Sequence, residues 1–300
     1  MVLSLDSDFK QLDENLRRLL SQNKNALTYK FENYIFSKSK RVRSLLCFLF
    51  SRAISDNVSI QQHKVAAAVE LIHNATLIHD DIIDDAPLRR GNVSINCEFD
   101  NKLAVVAGDF LLALALNELL EINENSIIRN FTSSLLKICD GEITQYFDKN
   151  IIVEIDKYID RSKQKTARLF EASLISVVAL SGQVQNIENA RRFAINYGIA
   201  FQIRDDLLNV LKTDPSKPYL SDIKNGVYTA PLIFLVQTCK NIDALSSDDL
   251  CNMLESSGAI AKTKELLGEY ILAAIDSLEF LNDNCYKQSI IDLCNDLYEV

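Results

Sequence analysis

The sequence predicts a single-domain, all-α helical bundle around a central cavity, spanning residues 1–300. Three observations predict it. Glycine and proline are scarce, 8 and 4 in 300 residues, so few turns are available. Apolar residues recur with helical spacing through most of the chain. No linker, low-complexity tract or internal repeat interrupts that pattern, and at 48% hydrophobic residues the chain has material for a sizeable core.

In chain order the periodicity predicts helices over 6–21, 23–36, 42–55, 59–85, 99–121, 124–148, 153–182, 186–211, 226–240, 244–255, 257–282 and 285–298. The stretch from Val65 to Ile78 is apolar nearly all round, which predicts a buried helix. The run 172–180 is likewise of buried-helix length. Loops are expected near 37–41, 86–98, 148–153, 183–186, 212–226 and 240–246. The longest, 212–226, holds Pro215 and Pro218 and has the length of a functional lid.

A formal charge of −9 argues against a nucleic-acid or anionic-membrane partner, although local basic clusters still suit phosphate. The seven cysteines are widely spaced without a CxxC pair, which reads as reduced thiols in a cytoplasmic protein. Asp6, Asp8 and Lys10 leave no apolar leader near the start, and no apolar run reaches the ~18 residues of a membrane span.

Two acidic clusters carry the chemistry. The first is His79-Asp80-Asp81-Ile82-Ile83-Asp84, followed by Arg89-Arg90-Gly91. Helical spacing puts Asp80, Asp81 and Asp84 on one patch, where their mutual repulsion is relieved if cations sit there. Mg²⁺ takes one or two carboxylates and completes its shell with water and substrate phosphate. The two arginines suit phosphate oxygens. The second cluster is Gln202-Ile203-Arg204-Asp205-Asp206-Leu207-Leu208-Asn209, where Asn209 offers a carbonyl oxygen but no charge. A lone cluster of this kind reads more readily as a solvated acidic face. Two of them, each ending an apolar helix, suit divalent metal and diphosphate above a hydrocarbon pocket.

Further stretches fall in a distinctive order: Lys40-Arg41-Val42-Arg43, His73 through Gly91, Gly108-Asp109-Phe110-Leu111, Gly141-Glu142 with Gln145, Lys165-Thr166-Ala167, Gly198 through Asn209, Asp222 with Gly226, and Thr229-Ala230-Pro231. With these in place the sequence resembles the trans-type polyprenyl diphosphate synthases of the polyprenyl synthetase family, over nearly the whole chain. Among them it looks most like the long-chain, octaprenyl-type members. The resemblance implies an all-α homodimer that condenses isopentenyl diphosphate with an allylic diphosphate. It implies Mg²⁺ held by Asp80, Asp84 and Asp205, up to three ions with diphosphate bound, with Asp81 in support. It implies Arg89, Lys165 and Lys217 on the allylic diphosphate, and Lys40, Arg43, His73 and Arg90 on the isopentenyl diphosphate. Thr166 and Gln202 would face the developing cation. Singly, Lys40 and Arg43 read as surface charges and His73 as a core histidine. Order and spacing together carry the assignment.

The chain departs from the family pattern at Ser39 and Ser216, where glycine is usual, at Ser44 for proline, at Asn209 for the third aspartate, and at Val227 for lysine. In the family the product grows along the helix that ends in the first cluster. Here the positions beneath Asp80 are Ala75 and Thr76, then Ile72 and Val69, none of them aromatic. At 1.5 Å per residue the way is unblocked for roughly 16 Å. The expected product is therefore longer than farnesyl, with a long quinone side chain favoured over geranylgeranyl. The product is oily, so release implies peripheral membrane contact. A class I terpene cyclase would need a different second metal motif. A regulatory subunit acting by interaction alone would lose aspartates that this chain keeps.

Overall fold

The computed structural model describes residues 5–37, 39–211, 221–239 and 247–299. Among these the chain is all-α, apart from one two-stranded hairpin. By contacts it forms two compact units. Unit 1 comprises Met1–Phe131, Ser173–Val184 and Leu281–Lys287. Unit 2 comprises Thr132–Ala172, Gln185–Phe280 and Gln288–Val300.

Unit 1 opens with α1 (Asp6–Gln22), α2 (Thr28–Ile35), α3 (Val42–Ser55) and α4 (Ile60–Ile83). Helix α4 starts at a capping box. The Ser59 hydroxyl accepts from the Gln62 N–H at 3.2 Å, and the Gln62 side chain accepts from the Ser59 N–H at 2.8 Å. Val65 through Val69, with Leu71 and Ile72, lose all exposure, as the all-round apolar stretch requires. Around α4 lie α1, α3 and α6 (Asn101–Leu120). Helix α6 is capped by Asp100, whose carboxylate accepts from the Leu103 N–H at 2.8 Å.

The segment expected as a loop over 86–98 is more ordered than its sequence suggests. Leu88–Arg89 (β1) pairs antiparallel with Asn92–Val93 (β2), and a short helix α5 (Ile95–Glu98) follows. The two-residue turn Arg90-Gly91 has φ of 51° and 80°. Positive φ at both positions is the primed turn that matches strand twist, and glycine supplies the second position without strain. Holding Arg90 there costs backbone strain, a cost met most often at functional positions.

Past residue 131, α7 (Asn125–Phe147) lies in unit 2, which continues with α8 (Ile155–Ser162) and the first residues of α9 (Arg168–Leu180). Then come α10 (Ile187–Val210), α11 (Ser221–Lys224), α12 (Ala230–Val236), α13 (Ser247–Ser256) and α14 (Ala259–Asp276). Residues of α15 (Cys285–Asn295) fall in both units. Helix α10 is central, packed on α14 and α8. Phe170, Phe193 and Tyr197 form its aromatic core, with ring centroids 5.4 to 5.5 Å apart.

The continuous helix expected over 153–182 is interrupted. Lys163–Ala167 adopts a π-helical turn between α8 and α9. Such single turns recur at functional sites. The helix expected from 226 starts only at Ala230, because Thr229 is extended and Pro231 occupies the first turn. The proposed lid over 212–226 lies mostly outside the described residues, and so does Lys217.

Helix α6 is long and apolar enough to cross a membrane by length and composition, with a mean hydropathy of 1.9. Of that window 44% is buried, its inner side packed on α4. Its outer side exposes Val105, Val106 and Leu120.

Candidate active site

In unit 1 the end of α4 splits its three aspartates. Asp80 is half-buried and Asp84 exposed, whereas Asp81 has no exposed surface. The expected patch of three carboxylates is therefore a patch of two. The reason is geometric: Asp81 lies about 100° round the helix from Asp80, while Asp84 returns to the Asp80 side. Asp81 turns inward and becomes an anchor. Its Oδ1 accepts from Arg89 Nε at 2.7 Å and is ion-paired with Nη2 at 2.5 Å. Its Oδ2 accepts from the Tyr34 hydroxyl at 3.0 Å. Burial raises the Asp81 carboxyl above its ordinary pKa, and Arg89 and Tyr34 oppose that rise.

The hairpin turn delivers the second arginine. Arg90 Nη1 donates to the Tyr34 carbonyl at 3.3 Å and to Ser37 Oγ at 3.2 Å. His73 is half-buried beside Arg43, Arg90 and Arg89. Burial, then those three cations, hold its pKa well below the usual histidine value, so the ring is neutral at physiological pH. Glu70, one turn earlier, is buried and accepts from Ser44 Oγ at 2.7 Å. Ser44, standing where proline is usual, thus has a partner in the core. Lys40 is exposed and lines an open pocket of about 430 Å³ with Arg17, Phe36 and Arg41. Neither His73 nor Arg90 lines that pocket.

In unit 2 the π turn presents Lys165 and Thr166. Lys165 Nζ donates to Gln145 Oε1 at 3.0 Å and pairs with Glu142 Oε1 at 2.7 Å. Thr166 Oγ1 donates to Gln202 Oε1 at 2.6 Å, and Gln202 Nε2 donates to Asp206 Oδ1 at 2.8 Å. The other oxygen of Asp206 accepts from the Tyr158 hydroxyl at 2.6 Å. Asp206 is buried, and burial together with the Asp222 carboxylate pushes its pKa up to about 7. Asp205 and Asn209, four apart, keep partial exposure, as Asp80 and Asp84 do in unit 1. Gly198 lets α10 approach the π turn, since a Cβ there would stand 2.4 Å from Ala167 Cα.

The buried partners Tyr34 and Tyr158 carry no signal in the sequence. Each is an aromatic on an apolar helix face, and only tertiary packing shows what its hydroxyl meets. Among the described residues, no group of three or more His, Cys, Asp or Glu side chains is gathered closely enough to hold a metal unaided. Outward pairs of hard oxygen donors, with no sulfur or imidazole among them, fit a cation that completes its shell with water and phosphate, and do not fit a zinc-type cage.

The residues of α4 expected to line the product tunnel are mostly buried. Ile72 and Val69 have no exposure and Ala75 is 2% exposed. Thr76 is half-buried, its hydroxyl donating to the His73 carbonyl at 2.8 Å.

The chain is similar to known proteins along most of its length. The polyprenyl synthetase family profile matches residues 25–268. A prenyl transferase of Cyanidium caldarium is 32% identical over 98% of this chain and 96% of its own length. A decaprenyl-diphosphate synthase of Dictyostelium discoideum is 35% identical over 87% of this chain, which spans 59% of that longer relative. The crystal structure of heptaprenyl diphosphate synthase from Staphylococcus aureus superimposes with a TM-score of 0.91 at 27% identity, covering 100% of this chain and 99% of that one. The chain therefore belongs to the polyprenyl synthetase family and is a prenyltransferase.

Proposed function

We propose that this chain condenses isopentenyl diphosphate with an allylic diphosphate, repeatedly and in trans, to a chain well beyond farnesyl, of the octaprenyl class, that serves as a quinone side chain. The observation that carries this reading is the stacking on α4 of outward carboxylates Asp80 and Asp84 above the buried, non-aromatic Ala75, Ile72 and Val69. The names of the relatives, decaprenyl and heptaprenyl synthases, support the same product class.

Asp80, Asp84 and Asp205 would hold Mg²⁺, which when bound neutralises the departing diphosphate as a Lewis acid. Arg89, Lys165 and Lys217 bind the allylic diphosphate. Lys165 exchanges Glu142 and Gln145 for phosphate oxygens, so those two residues park the lysine between turnovers. Lys40, Arg43, neutral His73 and Arg90 bind the isopentenyl diphosphate. The allylic C1–O bond breaks with its electron pair leaving on diphosphate, and the isopentenyl alkene closes on C1. The Thr166 proton is committed to Gln202, which leaves its lone pairs for the developing cation. The final proton goes to the released diphosphate.

This reading is tested by incubating the chain alone with farnesyl diphosphate, excess isopentenyl diphosphate and Mg²⁺, then sizing the dephosphorylated products. A ladder ending near octaprenyl is expected. Termination at geranylgeranyl would assign the shorter class, and no turnover would assign a subunit that needs a partner.

The outward face of α6 supports a homodimer. Val105, Val106 and Leu120 on α6 are all at least 45% exposed. A second copy presents the same face, so a two-fold contact covers apolar surface with apolar surface. Val106→Asp should shift sedimentation from dimer toward monomer; a parent chain that runs as a monomer rejects the assembly. Residence is cytoplasmic, with peripheral membrane contact as the oily product leaves.

A further inference from the structure

Each acidic motif has one buried aspartate, and in both units that aspartate divides its two oxygens in the same way. Asp81 gives Oδ1 to Arg89 and Oδ2 to the Tyr34 hydroxyl. Asp206 gives Oδ1 to Gln202 and Oδ2 to the Tyr158 hydroxyl. One oxygen thus faces a side chain assigned to substrate, and the other is pinned by a buried tyrosine from a different helix. Tyr34 is 3% exposed and Tyr158 is 1% exposed, so neither hydroxyl is free to turn to solvent.

We propose that Tyr34 is a positioning residue for the allylic diphosphate site, fixing the Asp81 carboxylate and through it the direction in which Arg89 points. This rests on the reading of Arg89 as an allylic diphosphate ligand. The Tyr34 hydroxyl is itself held, because it accepts from the Ile95 N–H at 3.2 Å. With Oδ2 fixed, the carboxylate plane is fixed, and Oδ1 takes both Nε and Nη2 of the guanidinium. Arg89 then keeps its remaining N–H groups for phosphate, on a side chain that is 29% exposed. Tyr34 meets Arg90 differently, through its main-chain carbonyl. That contact survives removal of the hydroxyl, so the two substrate sites respond differently to one substitution.

The test is steady-state kinetics of the full chain carrying Tyr34→Phe. Loss of one hydrogen bond to a charged group should raise KM for the allylic diphosphate about tenfold. KM for isopentenyl diphosphate should stay within about twofold, because the Arg90 contact is main-chain. Combined with Arg89→Ala, Tyr34→Phe should add nothing further to the allylic KM, since both act on one link. Asp81→Asn, which keeps the side-chain shape, gives a second arm and should raise the same KM without adding to Tyr34→Phe. An unchanged allylic KM in Tyr34→Phe, an equal rise in both KM values, or additivity with Arg89→Ala would overturn the proposal while leaving the Arg89 assignment intact. If Arg89→Ala alone leaves the allylic KM unchanged, the assignment of Arg89 falls, and the role of Tyr34 with it.

Discussion

Asp80→Asn should lower kcat about a thousandfold, the equivalent of about 4 kcal/mol of lost leaving-group stabilisation. The asparagine fills the same volume and keeps a carbonyl oxygen, so the fold and the α4 cap should persist. What it removes is charge at the one face of α4 where two carboxylates stand outward, Asp80 and Asp84. A Mg²⁺ ion held there would depend on that charge, because Mg²⁺ takes only one or two carboxylates and water completes its shell. The second cluster provides the contrast. Asn209 already stands where a third acidic group would complete the outward pair with Asp205. Restoring it with Asn209→Asp should therefore change kcat less than about threefold while lowering the Mg²⁺ concentration needed for half-maximal rate. Titrating Mg²⁺ against initial rate for the two variants reads both effects. An Asp80→Asn enzyme within tenfold of the parent would show that the metals do not rest on this face.

The periodicity of the chain located the helices that matter, because each buries a face whose spacing is written in its residues. Helices α1, α3, α4 and α7 start and end within a residue or two of expectation. The outward pair Asp80 and Asp84 was legible for the same reason. Asp81 was not, since its place depends on what lies beside α4. Helical spacing reads Asp81 onto the same acidic patch as Asp80 and Asp84 until Arg89 and Tyr34 are seen to claim it. The hairpin at Leu88–Val93 is too short for an alternating pattern, and only Gly91 hinted at a turn. The π turn at Lys163–Ala167 inserts one residue into an otherwise regular pattern and leaves no compositional mark. It nevertheless sets how Lys165 and Thr166 face α10, with Gly198 making room. The candidate residues were thus legible by type, while their buried hydrogen-bond partners emerged from packing alone.

Ala75→Phe should convert a long-chain enzyme into one that stops at or below geranylgeranyl. Ala75 lies five residues before Asp80 on α4 and is 2% exposed. A phenyl ring at that position has two fates. If α4 walls a tunnel, the ring enters space otherwise taken by growing product, and stability changes little. If the position is solid core, the ring overpacks it at a cost of about 1–3 kcal/mol, and Tm falls without any change in product. Measuring chain length and Tm on the same variant separates the two. Thr76 is the less informative neighbour, because its hydroxyl is tied to the His73 carbonyl and its replacement disturbs the backbone beside a proposed substrate ligand. Ile72 and Val69, both without exposure, extend the argument downward. Phe placed at either should also shorten the product, but by less, since each lies further from Asp80 at 1.5 Å per residue. A graded series, shortest for Ala75 and longest for Val69, is what a ruler along α4 requires. Equal products from all three variants would mean that chain length is set elsewhere.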